Sequence, residues 1–240
     1  MDNQICGVHA VYEALAAGTP PIERIYIGRE TRSPKLQEVI DLARRRGVPL
    51  LREDRAVLDR LAPRASHQGI IAACGSYSYS NPDVLFKPQA PCIVVLDGVE
   101  DPHNLGAVIR TAEASKASGV VVPERHSAPL SATVAKASAG ALAYVPVVRV
   151  GNLVAFLDEV KKKGVWVVGV DAEGDKLWTD FDFKVPVALV FGGEHRGVRR
   201  LVREHCDVMV RLPMLGKVDS LNVSVTAGIV LYEVVRQRSR

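Results

Sequence analysis

Aromatic residues make up only 5% of the chain, too few for a broad platform on which successive nucleic-acid bases could stack. Backbone contacts with one base-sized pocket stay possible. Paired cysteines are absent. The four cysteines, Cys6, Cys74, Cys92 and Cys206, lie far apart with no CxxC pair, which excludes a zinc ribbon and reads as reduced core thiols rather than a disulfide framework. No apolar run reaches bilayer-spanning length, and the start MDNQICGVHA lacks the basic and apolar segments of a signal peptide. A cytoplasmic location with no membrane partner is therefore expected. Neither GxGxxG nor GxxxxGK[ST] occurs, so the two common nucleotide-binding fingerprints are missing.

What is present is an ordinary globular composition with a basic tilt. The 240 residues are 48% hydrophobic and 24% charged, with a net charge of +4. That length suits one large domain or two smaller ones. The basic residues cluster at Arg44 to Arg46, Lys161 to Lys163, Arg196 with Arg199, Arg200 and Arg203, and Arg236 with Arg238 and Arg240. Such clusters either follow a phosphate backbone or form solvated helix faces.

Hydrophobic periodicity divides the chain. Residues 4–17 place Val8, Val11, Tyr12 and Leu15 at helical spacing, IERIYIG alternates as a strand, and SPKLQEVIDLARRRG reads as a helix from Ser33 to Gly47. VPLLRE and HQGIIAAC read as strands around a short helix, RAVLDRLA. Residues 1–76 thus form a small α/β unit. SYSYSNPDVLFKPQAP, rich in proline and polar residues, marks a linker over residues 77–89.

From residue 90 to 240, Val/Ile runs alternate with helical segments. The strands are CIVVLDG, GVVVP, YVPVVRV, WVVGVD, VALVFGG and VMVRLP; the helices follow Asn104, cover SATVAKASAGAL and NLVAFLDEVKKKG, and run from about Ser220 to Arg238. Continuous apolar strands separated by helices predict a mostly parallel sheet covered on both faces. The fold class is α/β.

Chemistry concentrates in polar clusters that end apolar runs: DPHNLGAVIRTAEA (101–114), FGGEHRG (191–197) and LPMLGKVDSLNVSV (212–225). Open α/β sheets hold ligands at strand ends and helix starts. In the first cluster Leu105, Val108, Ile109 and Ala112 form a buried stripe. Arg110 lies off it and leans back over Gly106 and Ala107, toward Asn104. Asn104 reads either as a helix cap or as a ligand contact. In the third cluster Ser220 or Asp219 caps the last helix, and Ser224, Ala227 and Gly228 form a small-residue stripe that admits another helix or chain. Packing does not explain Asn222 between two serines. In the second, Gly192 and Gly193 let backbone approach a ligand, Glu194 reads either as an ordinary turn residue or as a ligand neighbour that accepts from a ribose hydroxyl or sits near a cation, and His195 reads as a solvent-facing neighbour.

Together these segments, with N-x-G-x-x-x-R, G-x-E-x-x-G and S-L-N-x-S in order, resemble the SpoU (TrmH-like) family of RNA ribose 2′-O-methyltransferases in the SPOUT superfamily. GVHAVYEAL near residue 7 and SHQGIIA near residue 66 resemble the substrate-binding domain of the branch that methylates a guanosine ribose in 23S ribosomal RNA. The resemblance implies an N-terminal RNA-binding domain, a C-terminal SPOUT domain with a trefoil knot, S-adenosylmethionine (SAM) as cofactor without a metal, ribosomal RNA as partner, and a homodimer with its site near the interface. It assigns Gly192, Leu212, Met214, Ser220 and Leu221 to SAM, and Asn104, Arg110, Glu194, Ser220 and Asn222 to catalysis. His195 stands where the family commonly has glycine, which implies an altered loop beside Glu194. A tRNA methyltransferase, a resistance methyltransferase acting on an adenosine ribose, and a noncatalytic RNA-binding scaffold are the alternatives.

Overall fold

The computed structural model describes residues 4–18, 20–63, 65–75, 77–193 and 197–239. It divides into two compact units, Met1–Ser78 with Leu130–Ala132, and Tyr79–Pro129 with Thr133–Arg240.

In the first unit the order is β1 (Gln4–Cys6), α1 (Val8–Ala17), β2 (Ile22–Gly28), α2 (Pro34–Arg45), β3 (Leu50–Glu53), α3 (Arg55–Leu61) and β4 (Ile70–Cys74). The sheet order is β1-β4-β2-β3; β2 and β3 are parallel and the other pairs antiparallel. Strand β1 replaces the first turn of the helix expected from residue 4. The cause is Gly7, whose φ of 95° no helix can include. Alternation of side chains gives the sheet two buried faces. Val11, Leu15, Leu36, Val39 and Ile40 of α1 and α2 pack on Ile25, Ile27 and Ile70, while Leu58 of α3 meets Ile71 in a smaller second cluster. Ser33 caps α2 by accepting from the Leu36 amide at 3.1 Å. Buried His67 receives the Gly69 amide on Nδ1 at 3.0 Å, which leaves Nε2 to donate to Asp59 at 2.9 Å. The turn into β4 is fixed by that one side chain.

In the second unit the order is β5 (Cys92–Asp97), α4 (Pro102–Ala114), β6 (Gly119–Pro123), α5 (Ala132–Ala137), β7 (Val147–Val150), α6 (Leu153–Lys162), β8 (Trp166–Val170), β9 (Lys176–Leu177), β10 (Val187–Gly192), α7 (Arg200–Glu204), β11 (Val208–Arg211) and α8 (Val223–Arg238). The strands pair in the order β7-β6-β5-β10-β8-β11-β9, every pair parallel. Chain order runs outward from β5 to β7, returns to β8, and only later fills the gap with β10. The sheet's switch point therefore lies at the carboxyl ends of β5, β10 and β8. Leu153, Leu157 and Val160 of α6 and Val202 of α7 share one core cluster with Ile93, Val95, Val167 and Val190. The alternate residues Val94, Leu96, Leu189 and Phe191 face the other way and are equally buried, on the side where α8 meets β10 and α4 meets β6.

Local departures from the expected elements have local causes. The helix expected over SATVAKASAGAL ends at Ala137, because Ala139 and Gly140 adopt φ of 49° and 89° before a single 3₁₀ turn. Within residues 77–89, a 3₁₀ turn at Pro82–Phe86 sends Leu85, fully buried, into the second unit's core. Lys163 lies over the Phe86 ring and Arg149 over Tyr79, each 4.5 Å from the centroid. The far end of α8 is fastened by Arg238, which donates to the carbonyls of Ala90, Phe183 and Val185 at 2.7–2.8 Å, and by Gln237, which accepts from the Phe183 amide at 2.8 Å. That anchorage sets where the opposite, N-terminal end of α8 falls.

All four cysteines are free thiols. Burial pushes the Cys74 and Cys92 thiols up to about 11 and Cys206 up to about 12, and raises Cys6 in the same direction, since a thiolate loses its hydration in apolar surroundings. At pH 8 each is then protonated and unreactive. Ellman's reagent should label none of the four rapidly in the native protein and all four in guanidinium; fast labelling of the native protein would show a thiol outside the core.

Candidate active site

Two cavities open at the carboxyl end of the sheet. The larger, about 720 Å³, lies beyond β8, β10 and β11 and is lined by Gly192, Leu212, Met214, Ser220 and Leu221 together with Val170, Asp171 and Phe191. All five residues that the resemblance assigns to the cofactor therefore meet in one place. The smaller, about 460 Å³, lies beyond β5 and at the start of α4, and includes Asn104. Gly193, Gly197 and Val223 line both cavities and so form a shared wall.

Glycine builds that wall because no side chain fits there. A Cβ on Gly192 would collide with the Gly197 carbonyl, and one on Gly193 with the Gly98 carbonyl oxygen. The Gly193 amide donates to the Asp97 carbonyl at 2.8 Å and the Gly197 amide to the Gly193 carbonyl at 3.0 Å, so backbone packs on backbone. Two carboxylates then grip the outgoing chain. Asp97, ending β5 and sealed from solvent, accepts from the Arg199 amide at 2.9 Å and from its guanidinium at 2.6 Å. Asp171, just after β8, accepts from the Val198 amide at 3.4 Å and lies 3.6 Å from Arg203. Neither carboxylate is among the site residues expected from the sequence. The signal was there, since CIVVLD and WVVGVD each end a buried run on an aspartate.

Asn104 and Asn222 join the starts of two helices. Asn104 is buried in the first turn of α4, and its side-chain oxygen accepts from Asn222 Nδ2 at 3.0 Å. The cap of α4 is Asp101, not Asn104: its side chain accepts from the His103 amide at 2.9 Å, and the helix starts at Pro102. The last helix is shorter than expected, since Asn222 itself is the cap and accepts from the Ser224 amide at 2.9 Å and from its hydroxyl at 2.6 Å. Ser220 and Asp219 lie before it, on the wall of the larger cavity. Two helix N-termini thus converge beside the shared wall, where the positive ends of their dipoles favour negative charge.

Arg110 does not join this group. It is exposed, lines neither cavity, and makes no hydrogen bond or ion pair to a described residue. Six residues beyond Asn104 on an α-helix places it about 9 Å along the axis and on another face. The space above Gly106 is filled by α5, because a Cβ there would meet Val134, Ala137 and Ser138; it does not clear a path for Arg110. The small-residue stripe of α8 is likewise used within the chain: Gly228 faces Thr111 of α4. Glu194 and His195 lie outside the described residues.

The larger cavity fits SAM in size and character. Volumes of roughly 300–1,000 Å³ are usual for small-ligand sites, glycines bring backbone groups to the ligand, and Asp171 and Glu173 line it together with Arg203, which pairs with both. Among the described residues no group of His, Cys, Asp and Glu could hold a metal.

Fold and site together define an open parallel α/β domain with paired ligand cavities at its switch point. Comparison with known proteins gives that class a family. The SpoU rRNA Methylase family matches residues 91–232, and the RNA 2′-O ribose methyltransferase substrate-binding family matches residues 4–80. The chain belongs to the SpoU rRNA methylase family. It is 42% identical over 242 residues to Bacillus subtilis YacO, named for the TrmH family of tRNA/rRNA methyltransferases, covering 99% of this chain and 96% of the relative. Similar solved structures are the SpoU methyltransferase AviRb of Streptomyces viridochromogenes in complex with the cofactor AdoMet, and an AdoMet-bound rRNA methyltransferase of Sinorhizobium meliloti. Each has a TM-score of 0.81 and 28% identity and covers 98% of this chain, with 90% and 87% of the other chain matched.

The Asp97–Arg199 pair holds the shared wall, and its removal has a calculable consequence. Arg199→Ala should lower unfolding free energy by about 3–5 kcal/mol, because it strands a buried carboxylate. Urea unfolding measures this; a loss below about 1 kcal/mol would make the pair a surface-like contact.

Proposed function

We propose that the chain is a SAM-dependent methyltransferase acting on the ribose 2′-hydroxyl of a guanosine in large-subunit (23S) ribosomal RNA. The observation that carries the reading is the pair of cavities divided by a glycine wall, with Asn104 bonded to Asn222 beside it. One cavity suits SAM and the other a nucleoside, with little between them. The rRNA methyltransferase of Sinorhizobium meliloti, similar over 98% of this chain, and the SpoU rRNA Methylase match over residues 91–232 support the ribosomal substrate. Residues 1–76 would bind RNA and residues 90–240 would carry catalysis, with the chain threaded as a trefoil knot in the latter.

SAM, when bound, supplies an electrophilic methyl group on a sulfonium that leaves as a neutral thioether, so the displacement needs no metal. Gly192, Leu212, Met214 and Leu221 would hold it, with Ser220 between cofactor and acceptor. Asn104 and Asn222 would orient the ribose, and the converging helix starts would favour negative charge on the 2′-oxygen as its proton leaves. Holding the reactants in line contributes up to about 7–11 kcal/mol. Arg110 would bind the adjacent phosphate and stabilise the alkoxide, the proton going to phosphate or water, because a guanidinium does not act as a base in proteins. Glu194 would accept from the ribose.

A second copy belongs to the proposal, because Arg110 reaches neither cavity of its own chain. Val225 and Tyr232, 49% and 54% exposed, lie two turns apart on one face of α8 and offer an apolar contact for a homodimer. Among the described residues no helix is long and apolar enough to cross a membrane, and a cytoplasmic site of action suits the substrate.

The test is transfer of radiolabelled methyl from SAM to unmodified large-subunit ribosomal RNA and, separately, unmodified tRNA, with the product nucleoside mapped. Label in ribosomal RNA as 2′-O-methylguanosine is expected; label in tRNA alone would move the substrate, and SAM binding with no transfer to any RNA would favour a scaffold. Arg110→Ala should cut turnover by roughly 10²–10³-fold with SAM affinity nearly unchanged. Loss of SAM binding in that variant would remove Arg110 from the acceptor side.

A further inference from the structure

The smaller cavity is acidic, although the chain is basic and its proposed substrate is a polyanion. Asp97, Glu100 and Asp101 line it against one cation, Arg199, whose guanidinium is held by Asp97. Two of these carboxylates are already engaged, Asp97 by Arg199 and Asp101 by the first turn of α4. Glu100 differs. Its Oε1 lies 3.3 Å from His126 Nδ1, while Oε2 has no partner among the described residues, and both side chains are about two-thirds exposed toward a ligand. His126 holds its place in a left-handed conformation, φ 60°, which costs energy for a non-glycine residue.

A carboxylate only accepts hydrogen bonds and repels phosphate. The cavity therefore suits a base edge rather than the RNA backbone. Its 460 Å³ accommodates one nucleoside and no stacked neighbours, so the nucleoside must leave its stack to enter. With the ribose beside Asn104 and Val223, next to the larger cavity, the base extends toward Glu100 and His126. Guanine is the base whose pairing edge carries two adjacent donors, N1–H and the 2-amino group; adenine, cytosine and uracil each offer a single donor group there.

Resting on the methyltransferase reading above, we infer that Glu100 is the residue that selects the target base: its carboxylate accepts from N1–H and the 2-amino group of guanine, and His126 orients it. Glu100 touches the base and not the reacting atoms, so it sets specificity rather than chemistry.

The experiment uses the full chain and a synthetic RNA spanning the mapped target, made with guanosine or with inosine, which lacks the 2-amino group, at that position. Wild type should prefer guanosine in kcat/KM by on the order of 10-fold or more, the discrimination of a good bidentate pair. In Glu100→Gln the guanosine rate should fall and the preference shrink toward one, while Glu100→Asp keeps part of the preference. SAM affinity, measured by calorimetry, should be unchanged in both variants and serves as the control for folding. A wild-type guanosine-to-inosine ratio near one, a ratio unmoved by Glu100→Gln, or a mapped target other than guanosine would each overturn the inference while leaving the methyltransferase reading intact. Absence of any wild-type transfer would instead bring down that reading, and the inference with it.

Discussion

The Asp97 carboxylate, shut away from water at the end of β5, is the constraint around which the candidate site is arranged. An ionised carboxylate in that position is tolerable only with charge-assisted donors around it. Among the described residues its donors come from Arg199, which supplies both its amide and its guanidinium. Arg199 immediately precedes α7, so satisfying Asp97 brings the chain leaving β10 back against the end of β5. Asp171 applies the same grip from the far side of β10. Gly197 is drawn so close to Gly192, and Gly98 to Gly193, that neither Gly192 nor Gly193 has room for a side chain. One buried charge thus sets the thickness of the wall between two cavities, and with it the distance across which any transfer between them would occur.

A second tether fixes the opposite side. Asn222 spends its side-chain oxygen on the start of α8 and its amide nitrogen on Asn104, so a cap and an inter-helix bond are the same side chain. Neither helix can shift along its axis without breaking that link. The remote end of α8 is held by Arg238 and Gln237 on backbone groups around residues 181–185 and 90. A helix pinned at both ends is a rigid strut, and rigid elements position reacting groups better than loops do.

Much of this was legible in the residues. Long Val/Ile runs such as CIVVLD and VALVF announced a parallel sheet because burial on both faces removes polar alternation. The segments SPKLQEVIDLARRRG and NLVAFLDEVKKKG read as helices from their periodicity, and the structure adds that Ser33 and Asn152 cap them. What could not be read was either too short or too distant. Strands β1 and β9 and helix α7 span 3, 2 and 5 residues, below the length at which periodicity separates states. The insertion of β10 between β5 and β8 is a long-range choice that no local pattern encodes. Small residues misled for a related reason: Gly106 marks a close approach by α5 and Gly228 an ordinary contact with α4, both of the same chain, and the sequence does not say which element arrives. Asn222 was recognised as unusual without its capping role, because a cap and a catalytic polar residue share the same composition. The motifs that resemble the SpoU family did bring Gly192, Leu212, Met214, Ser220 and Leu221 to one cavity, although nothing in their spacing specified its shape.

The distribution of charge suggests how affinity and selectivity are divided. Basic clusters spread over the chain can neutralise phosphates anywhere along an RNA, and such contacts are strong, salt-dependent and indifferent to sequence. An acidic cavity inside a basic protein works against that background. It penalises phosphate and rewards donors, so a nucleoside gains by entering only if its base can supply them. Arg199 offsets the charge of Asp97 and the first turn of α4 occupies one oxygen of Asp101, so Glu100 is the carboxylate left to accept from a base. In the proposed reaction, selection of this kind would add little to overall affinity and would act where the nucleoside leaves its stack, before its 2′-oxygen is aligned with the neighbouring cavity.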